Sequence, residues 1–224
     1  MTEPPVIRPV RGDDEAVVGQ IAFQTGFFGD SAARYFPAPR LFALLWVGPY
    51  FHGAGQAGYV AEQGSRVLGY VLGAPEPGRY RRALWRVING GLWRAWPAPE
   101  PLLRCLAYLG RAARFPPAHA DWDTYPAHLH LNLLPGARGH HLGERLLRTH
   151  LAALTAAGIP GVQLSTTSEN RAALGLYRKL GFHVVTERQT ALWTPWLGHP
   201  TSQVVMARSL TPGEGGPPPA DTRR

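Results

Sequence analysis

The segment Arg138-Gly139-His140-His141-Leu142-Gly143 stands where strand-like alternation gives way to helical periodicity, and Tyr177 follows one helix later. Backbone amides at a helix start have no partner inside the helix, so they form a ready cradle for a pyrophosphate. Glycines let the backbone come close to the anion. A tyrosine nearby supplies an O–H that can protonate a leaving group. Together these residues describe a site for a phosphate-bearing cofactor with a proton donor beside it. Taken alone, the loop reads as an ordinary strand-to-helix turn; the segment after it decides for the cradle.

The elements around these residues are legible from their periods. HLHLNLL (128–134) alternates, with Leu129, Leu131 and Leu133 on one face and His128, His130 and Asn132 on the other. Pro135 lacks an N–H and ends the pairing. From Leu142 the period becomes helical: Leu142, Leu146, Leu147, Leu151 and Leu154 form one apolar stripe. VQLST (162–166) is a second strand. Ser168 or Asn170 caps a helix over about 171–180, which Gly181 stops, and Phe182 opens a further strand. GYVAEQGSRVLGYVLGAPE (58–76) reads as a hairpin turning at Glu62-Gln63-Gly64-Ser65, and SQVVMARSL (202–210) as a closing strand.

The spacing Asn170, Ala173, Tyr177, Gly181-Phe182 resembles the second signature of the GNAT N-acetyltransferase superfamily. Arg138 to Gly143 resembles that family's acetyl-CoA loop, Arg/Gln-x-x-Gly-x-Gly/Ala, with His141 where the first loop glycine is usual. VIRPVRGDDEAVVGQIAFQTG (6–26) is similar to the family's first strand and helix. YPAHLHLNLLP (125–135), VGPY (47–50) and GYVLG (69–73) resemble a bacterial subfamily similar to the C-terminal acetyltransferase-like domain of eukaryotic O-GlcNAcase, in which Asp is usual at the place of Asn132. The resemblance implies an α/β (α+β) GNAT fold, a mixed sheet of about seven strands flanked by helices, in a single domain over residues 1–211.

The same resemblance implies acetyl-CoA as acetyl donor and direct attack on it by a primary amine of unknown identity. Backbone amides of Leu133 and Leu134 would meet the cofactor at the strand end. Arg138, Gly139, His140, His141, Leu142, Gly143 and Glu144 would wrap the pyrophosphate, mostly through amides. Asn170 would hold the pantetheine arm, and Tyr177 would protonate the leaving thiolate. For the general base, His130 and Asp123 are the candidates, with His128 beside them on the polar strand face; an imidazole titrates near neutral pH. A His-x-His pair also suits zinc, but no third ligand has fitting spacing and no metal is expected. Phe27, Phe28, Tyr35, Tyr50 and Phe51 come from regions that shape the acceptor pocket in the family; core packing explains each of them equally well. The alternative function is a catalytically impaired pseudo-acetyltransferase serving as a binding module, which His141 and Asn132 favour.

Composition bounds the rest. A chain of 224 residues, 45% hydrophobic, buries a substantial core in one unit. No apolar run reaches membrane-spanning length and no signal-peptide pattern opens the chain, so a cytoplasmic protein without a membrane partner is expected. Cys105, the single cysteine, excludes an internal disulfide and sits in the apolar run LLRCLAYL as a packed thiol. The net charge of +8 is almost all arginine, since Lys179 is the only lysine. Codon bias accounts for that pattern, and nucleic acid is not an expected partner, although Arg79, Arg81, Arg82, Arg86 and Arg94 interleave with Tyr80, Trp85, Trp93 and Trp96.

Residues 75–120 are read as a helical insertion in two pieces, YRRALWRVINGGLWRAW broken at Gly90-Gly91, then EPLLRCLAYLGRAARF. It is expected to cover the acceptor pocket or to serve a homodimer contact, with its tryptophans and leucines used for packing. The tail TPGEGGPPPADTRR is read as disordered.

Overall fold

The computed structural model describes residues 3–53 and 57–211; the tail 212–224 lies outside the described residues. Seven strands form one sheet: β1 (Val6–Pro9), β2 (Ala57–Gln63), β3 (Arg66–Ala74), β4 (Ala127–Leu133), β5 (Gly161–Thr167), β6 (His183–Thr190) and β7 (Thr201–Ser209). Their spatial order is β1-β2-β3-β4-β5-β7-β6, and every neighbouring pair is antiparallel except β4 with β5. A parallel pair needs a crossover, and α6 (Leu142–Ala156) supplies it.

Helices cover both faces of this sheet. On one face lie α1 (Glu15–Thr25), α2 (Pro39–Trp46), α3 (Gly48–Phe51) and α4 (Pro77–Ala95), over a core that includes Val18, Ile21, Phe36, Phe42, Tyr70 and Leu72. On the other lies α6, whose Leu142, Leu146, Leu147, Leu151 and Leu154 are all less than 5% exposed. Each such leucine contributes about 1.5–3 kcal/mol by leaving water. α7 (Arg171–Lys179) adds Leu174 and Tyr177 to this second core. The strand alternation is honoured: Leu129 joins the α6 core, while His128 and His130 face the α3 and α4 side beside Tyr50.

The insertion is helical, but its first helix is not broken. α4 runs through Gly90-Gly91, and α5 (Pro99–Arg114) follows after a short link. The reason is steric: a Cβ at Gly91 would stand 2.9 Å from Leu44, so the glycine serves the close approach of α4 to α2 and does not interrupt the helix. Cys105 is buried in α5, as expected for a packed thiol. Among the described residues no helix is long and apolar enough to cross a membrane.

Candidate active site

β4 and β5 are paired only at Ala127–Val162 and His128–Gln163, and beyond His128 the ladder is lost. The two strands therefore splay towards their C-terminal ends, and one edge of β4 is left open. Which amides face that opening follows from the register with β3. Leu134 N–H donates to Leu68 C=O at 2.9 Å. Backbone groups alternate sides along an antiparallel strand, so Asn132 and His130 also turn theirs towards β3, opposite Tyr70 and Leu72. Leu131 and Leu133 turn theirs into the splay. The sequence-based assignment is thus corrected at one position: the Leu134 amide is engaged by β3, and Leu131, which sequence reasoning missed, takes its place beside Leu133.

The loop 138–143 follows the open end of β4 and leads into α6. None of the backbone N–H groups from Gly139 to Glu144 meets an acceptor among the described residues; the first bond of the helix start is Arg145 N–H to His141 C=O at 3.0 Å. Gly139 has φ +80° and His141 φ +56°, left-handed conformations that turn successive amides to one side. His141 keeps the backbone shape usual for glycine although it has a Cβ. Its side chain is 77% exposed and leans towards Glu144, with Nδ1 3.7 Å from Oε2, so it leaves the concave side open. α6 has no side-chain cap, which leaves its N-terminal amides for an anion.

The acidic member of the loop is itself neutralised. Glu144 accepts from Lys179 at 2.6 Å and from Arg148 at 2.8 Å, which hold its carboxyl down to about 2. The carboxylate ties α6 to α7 and does not repel a phosphate from the cradle; its backbone N–H remains free. Arg138 does not point at the cradle. Its guanidinium donates to Gly29 C=O at 2.6 Å and to Leu133 C=O at 3.3 Å. Asn170 caps α7, its Oδ1 accepting from Ala173 N–H at 3.4 Å, which leaves the side-chain NH2 unengaged. Ser168, the other capping candidate, is bonded to Thr201.

Tyr177 is 6% exposed and its hydroxyl has no hydrogen bond among the described residues. Burial pushes it up to about 12, so it stays protonated at neutral pH. Burial first, and Tyr177 to a lesser degree, hold the Tyr70 hydroxyl above its usual range as well. Asn132 Nδ2 donates to Tyr70 Oη at 3.1 Å. Tyr70 was not legible as a site residue, because in the sequence it is one apolar-flanked position of a hairpin.

The base candidates part company. His130 is exposed, although protein surrounds its ring closely enough to push its imidazole down to about 4. His128 is pushed down to about 3 by burial first and by His130 second; its Nδ1 has no partner. Both lie against Tyr50, a buried tyrosine whose hydroxyl is also unpartnered, with ring centroids 5.9 Å (His128) and 5.7 Å (His130) away. Asp123 stays exposed in the turn before β4 and bonds to neither histidine.

A second wall is aromatic. Phe27, Phe28 and Tyr35 pack on Trp193, with ring centroids 5.8, 5.1 and 5.0 Å apart. Tyr108 of α5 and Trp196 close the group, and Arg111 donates to the carbonyls of Ala191 and Leu192. Trp193, Trp196 and Tyr108 were missed in the sequence; they come from the β6–β7 connection and the insertion, and only the fold brings them to Phe27. Phe51 is half-buried against the same core.

The profile of the Acetyltransferase (GNAT) family matches residues 26–182. The fold is shared over 93% of this chain and 100% of SsHAT, at 29% identity and a TM-score of 0.70. A phosphinothricin acetyltransferase from Sinorhizobium meliloti, solved with acetyl-CoA, shares the fold at 16% identity and a TM-score of 0.57, covering 98% of this chain and 95% of that one. A putative acetyltransferase of Salmonella typhimurium, yncA, solved with acetyl-CoA, does so at 16% identity and 0.56, covering 97% and 99%.

Proposed function

The chain belongs to the GNAT acetyltransferase family, and from that premise we propose that it moves the acetyl group of acetyl-CoA to a primary amine by direct attack. The observation that carries this reading is the run of unpartnered amides from Gly139 to Glu144 at the mouth of the β4–β5 splay. These amides are suited to the pyrophosphate. Asn170 offers its free NH2 to the pantetheine arm.

Leu131 and Leu133 present N–H groups along the open edge of β4, where they pair with the arm and donate to the carbonyl oxygen as it gains charge. The amine nitrogen forms the new C–N bond, and the C–S bond then breaks. His130, neutral at physiological pH, takes the proton that the amine loses. Tyr177 donates to the departing sulfur and returns a proton to it; the proton lost from nitrogen balances the one gained by CoA. A hydroxyl held near 12 gives up its proton reluctantly, so hydrogen-bond stabilisation of the sulfur is its first contribution. Asp123, left exposed outside the cleft, has no role here.

The aromatic groups around Tyr50 and Trp193 suit an acceptor amine attached to a flat or apolar body. The binding-module alternative, which His141 and Asn132 favour in the sequence, is not favoured: the His141 side chain is 77% exposed beside Glu144, and the loop amides stay unpartnered. The test is thiol release from acetyl-CoA with a panel of primary amines, ranging from alkyl to aryl-alkyl. Turnover on the aromatic amines supports the reading; no thiol release above hydrolysis with any amine opposes it.

A further inference from the structure

α4 packs Tyr80, Ala83, Val87, Leu92 and Ala95 inward, yet carries three large apolar side chains on its outer side. It turns Ala83 (0% exposed), Val87 (6%) and Ala95 (9%) inward and holds Trp85 (66%), Trp93 (68%) and, at its end, Trp96 (55%) in solvent. Large apolar side chains held in solvent along one side of a helix mark an interaction surface. The orientation is not free to reverse. Gly91 admits Leu44 where a Cβ would stand 2.9 Å from it, and Val87 lies 3.1 Å from a Cβ built at Gly48. These close contacts leave no room for an indole between α4 and its neighbours.

The arc has a second property. Positions 82, 85, 89, 93 and 96 follow one helical stripe, and arginines occupy its margins. Arg81 and Arg82 have no partner among the described residues, and Arg94 lies over the Trp93 ring at 4.6 Å. Arg79 meets Glu76, and Arg86 donates to His52 C=O while its side chain remains exposed. Glu76 is the only carboxylate on this helix or at its cap. A symmetric contact with a second copy would bring these arginines together, which disfavours it. A single convex helix offers no groove to track a nucleic-acid backbone. Tryptophan rings flanked by arginines match a bilayer's headgroup layer, where the rings sit at the interface and the guanidinium groups reach phosphates.

We propose that α4 docks this enzyme on an anionic lipid surface through Trp85, Trp93 and Trp96, with Arg81 and Arg82 reaching the headgroups. The docking leaves the β4–β5 splay free and is independent of the acetyl-transfer reading. The test uses the full chain with sedimenting vesicles of phosphatidylcholine alone or mixed with phosphatidylserine, and acetyl-CoA binding as the check on folding. The protein is expected to pellet with the mixed vesicles, to stay in solution with phosphatidylcholine alone, and to lose binding as salt rises. Trp85→Ala/Trp93→Ala/Trp96→Ala is expected to weaken pelleting about tenfold or more. Arg81→Glu/Arg82→Glu, at exposed positions that pack on nothing, is expected to do the same with the fold unchanged. No pelleting with mixed vesicles, or pelleting that both variants leave intact, overturns the proposal. So does a dimer that the tryptophan variant dissociates, or preferential binding to a single-stranded oligonucleotide through the same residues.

Discussion

Arg138, at the head of the loop that leads into α6, is bonded through its guanidinium to the carbonyl of Gly29, in the turn after α1. One side chain thus joins the loop ahead of α6 to the turn whose Phe27 and Phe28 pack on Trp193. Gly29 itself has φ +101°, and the guanidinium lies 3.1–3.4 Å from where its Cβ would be, so both the turn and the contact ask for glycine.

Arg138→Ala is expected to loosen the 27–30 turn without dismantling the cradle, because the cradle is made of backbone amides. The KM of the amine should rise several-fold while the acetyl-CoA Kd changes less than about threefold, in line with loss of one or two exposed hydrogen bonds. Steady-state kinetics beside calorimetry separate the two. An equal loss in both would place the Arg138 side chain on the cofactor.

Tyr177→Phe removes only the hydroxyl. Turnover at neutral pH is expected to fall about 10²-fold or more with acetyl-CoA affinity preserved. Single-turnover thiol release measures it, and an unchanged rate would remove Tyr177 from the chemistry.

His141→Gly relieves a left-handed residue that carries a Cβ. The variant is expected to be more stable by about 1 kcal/mol in urea, with acetyl-CoA affinity within a few-fold of the parent. A tenfold loss of affinity would instead make the imidazole a ligand of the phosphates.

His150 gives the stability of the chain a pH dependence. It is 1% exposed in α6, neither ring nitrogen has a partner, and burial pushes it down to about 4. The unfolded chain binds the proton below about 6.5 while the folded one does not until about 4. Stability is therefore full above about pH 6.5 and falls as pH drops towards 4, by about 2 kcal/mol at pH 5 from this residue. Denaturant unfolding at pH 7.5 and 5 checks it, and His150→Leu is expected to shrink the difference. A stability curve as steep in the variant as in the parent would assign the effect to other groups.

The parts of this molecule that were legible in the sequence are those set by local period. The alternation over 128–134 and the leucine stripe from Leu142 placed the strand, the loop and the helix where the structure has them. What failed depended on a neighbour. The Leu134 amide was misassigned because the side a strand amide faces is set by the β3 register, which no single strand encodes. Gly90-Gly91 was read as a break because the Leu44 side chain that demands a glycine comes from another helix. The tryptophans of α4 were read as packing, and the structure holds them in solvent. His128 and His130 were placed on the correct face, yet the packing that pushes His128 down to about 3 comes from Tyr50 and Tyr80, which other elements supply.

The central claim is that the open edge of β4 and the amides of 139–144 hold acetyl-CoA. Calorimetric titration of the chain with acetyl-CoA, with CoA as control, tests it most directly. One site per chain is expected, with a Kd in the micromolar range, about −8 kcal/mol. No binding heat at about millimolar acetyl-CoA would contradict it.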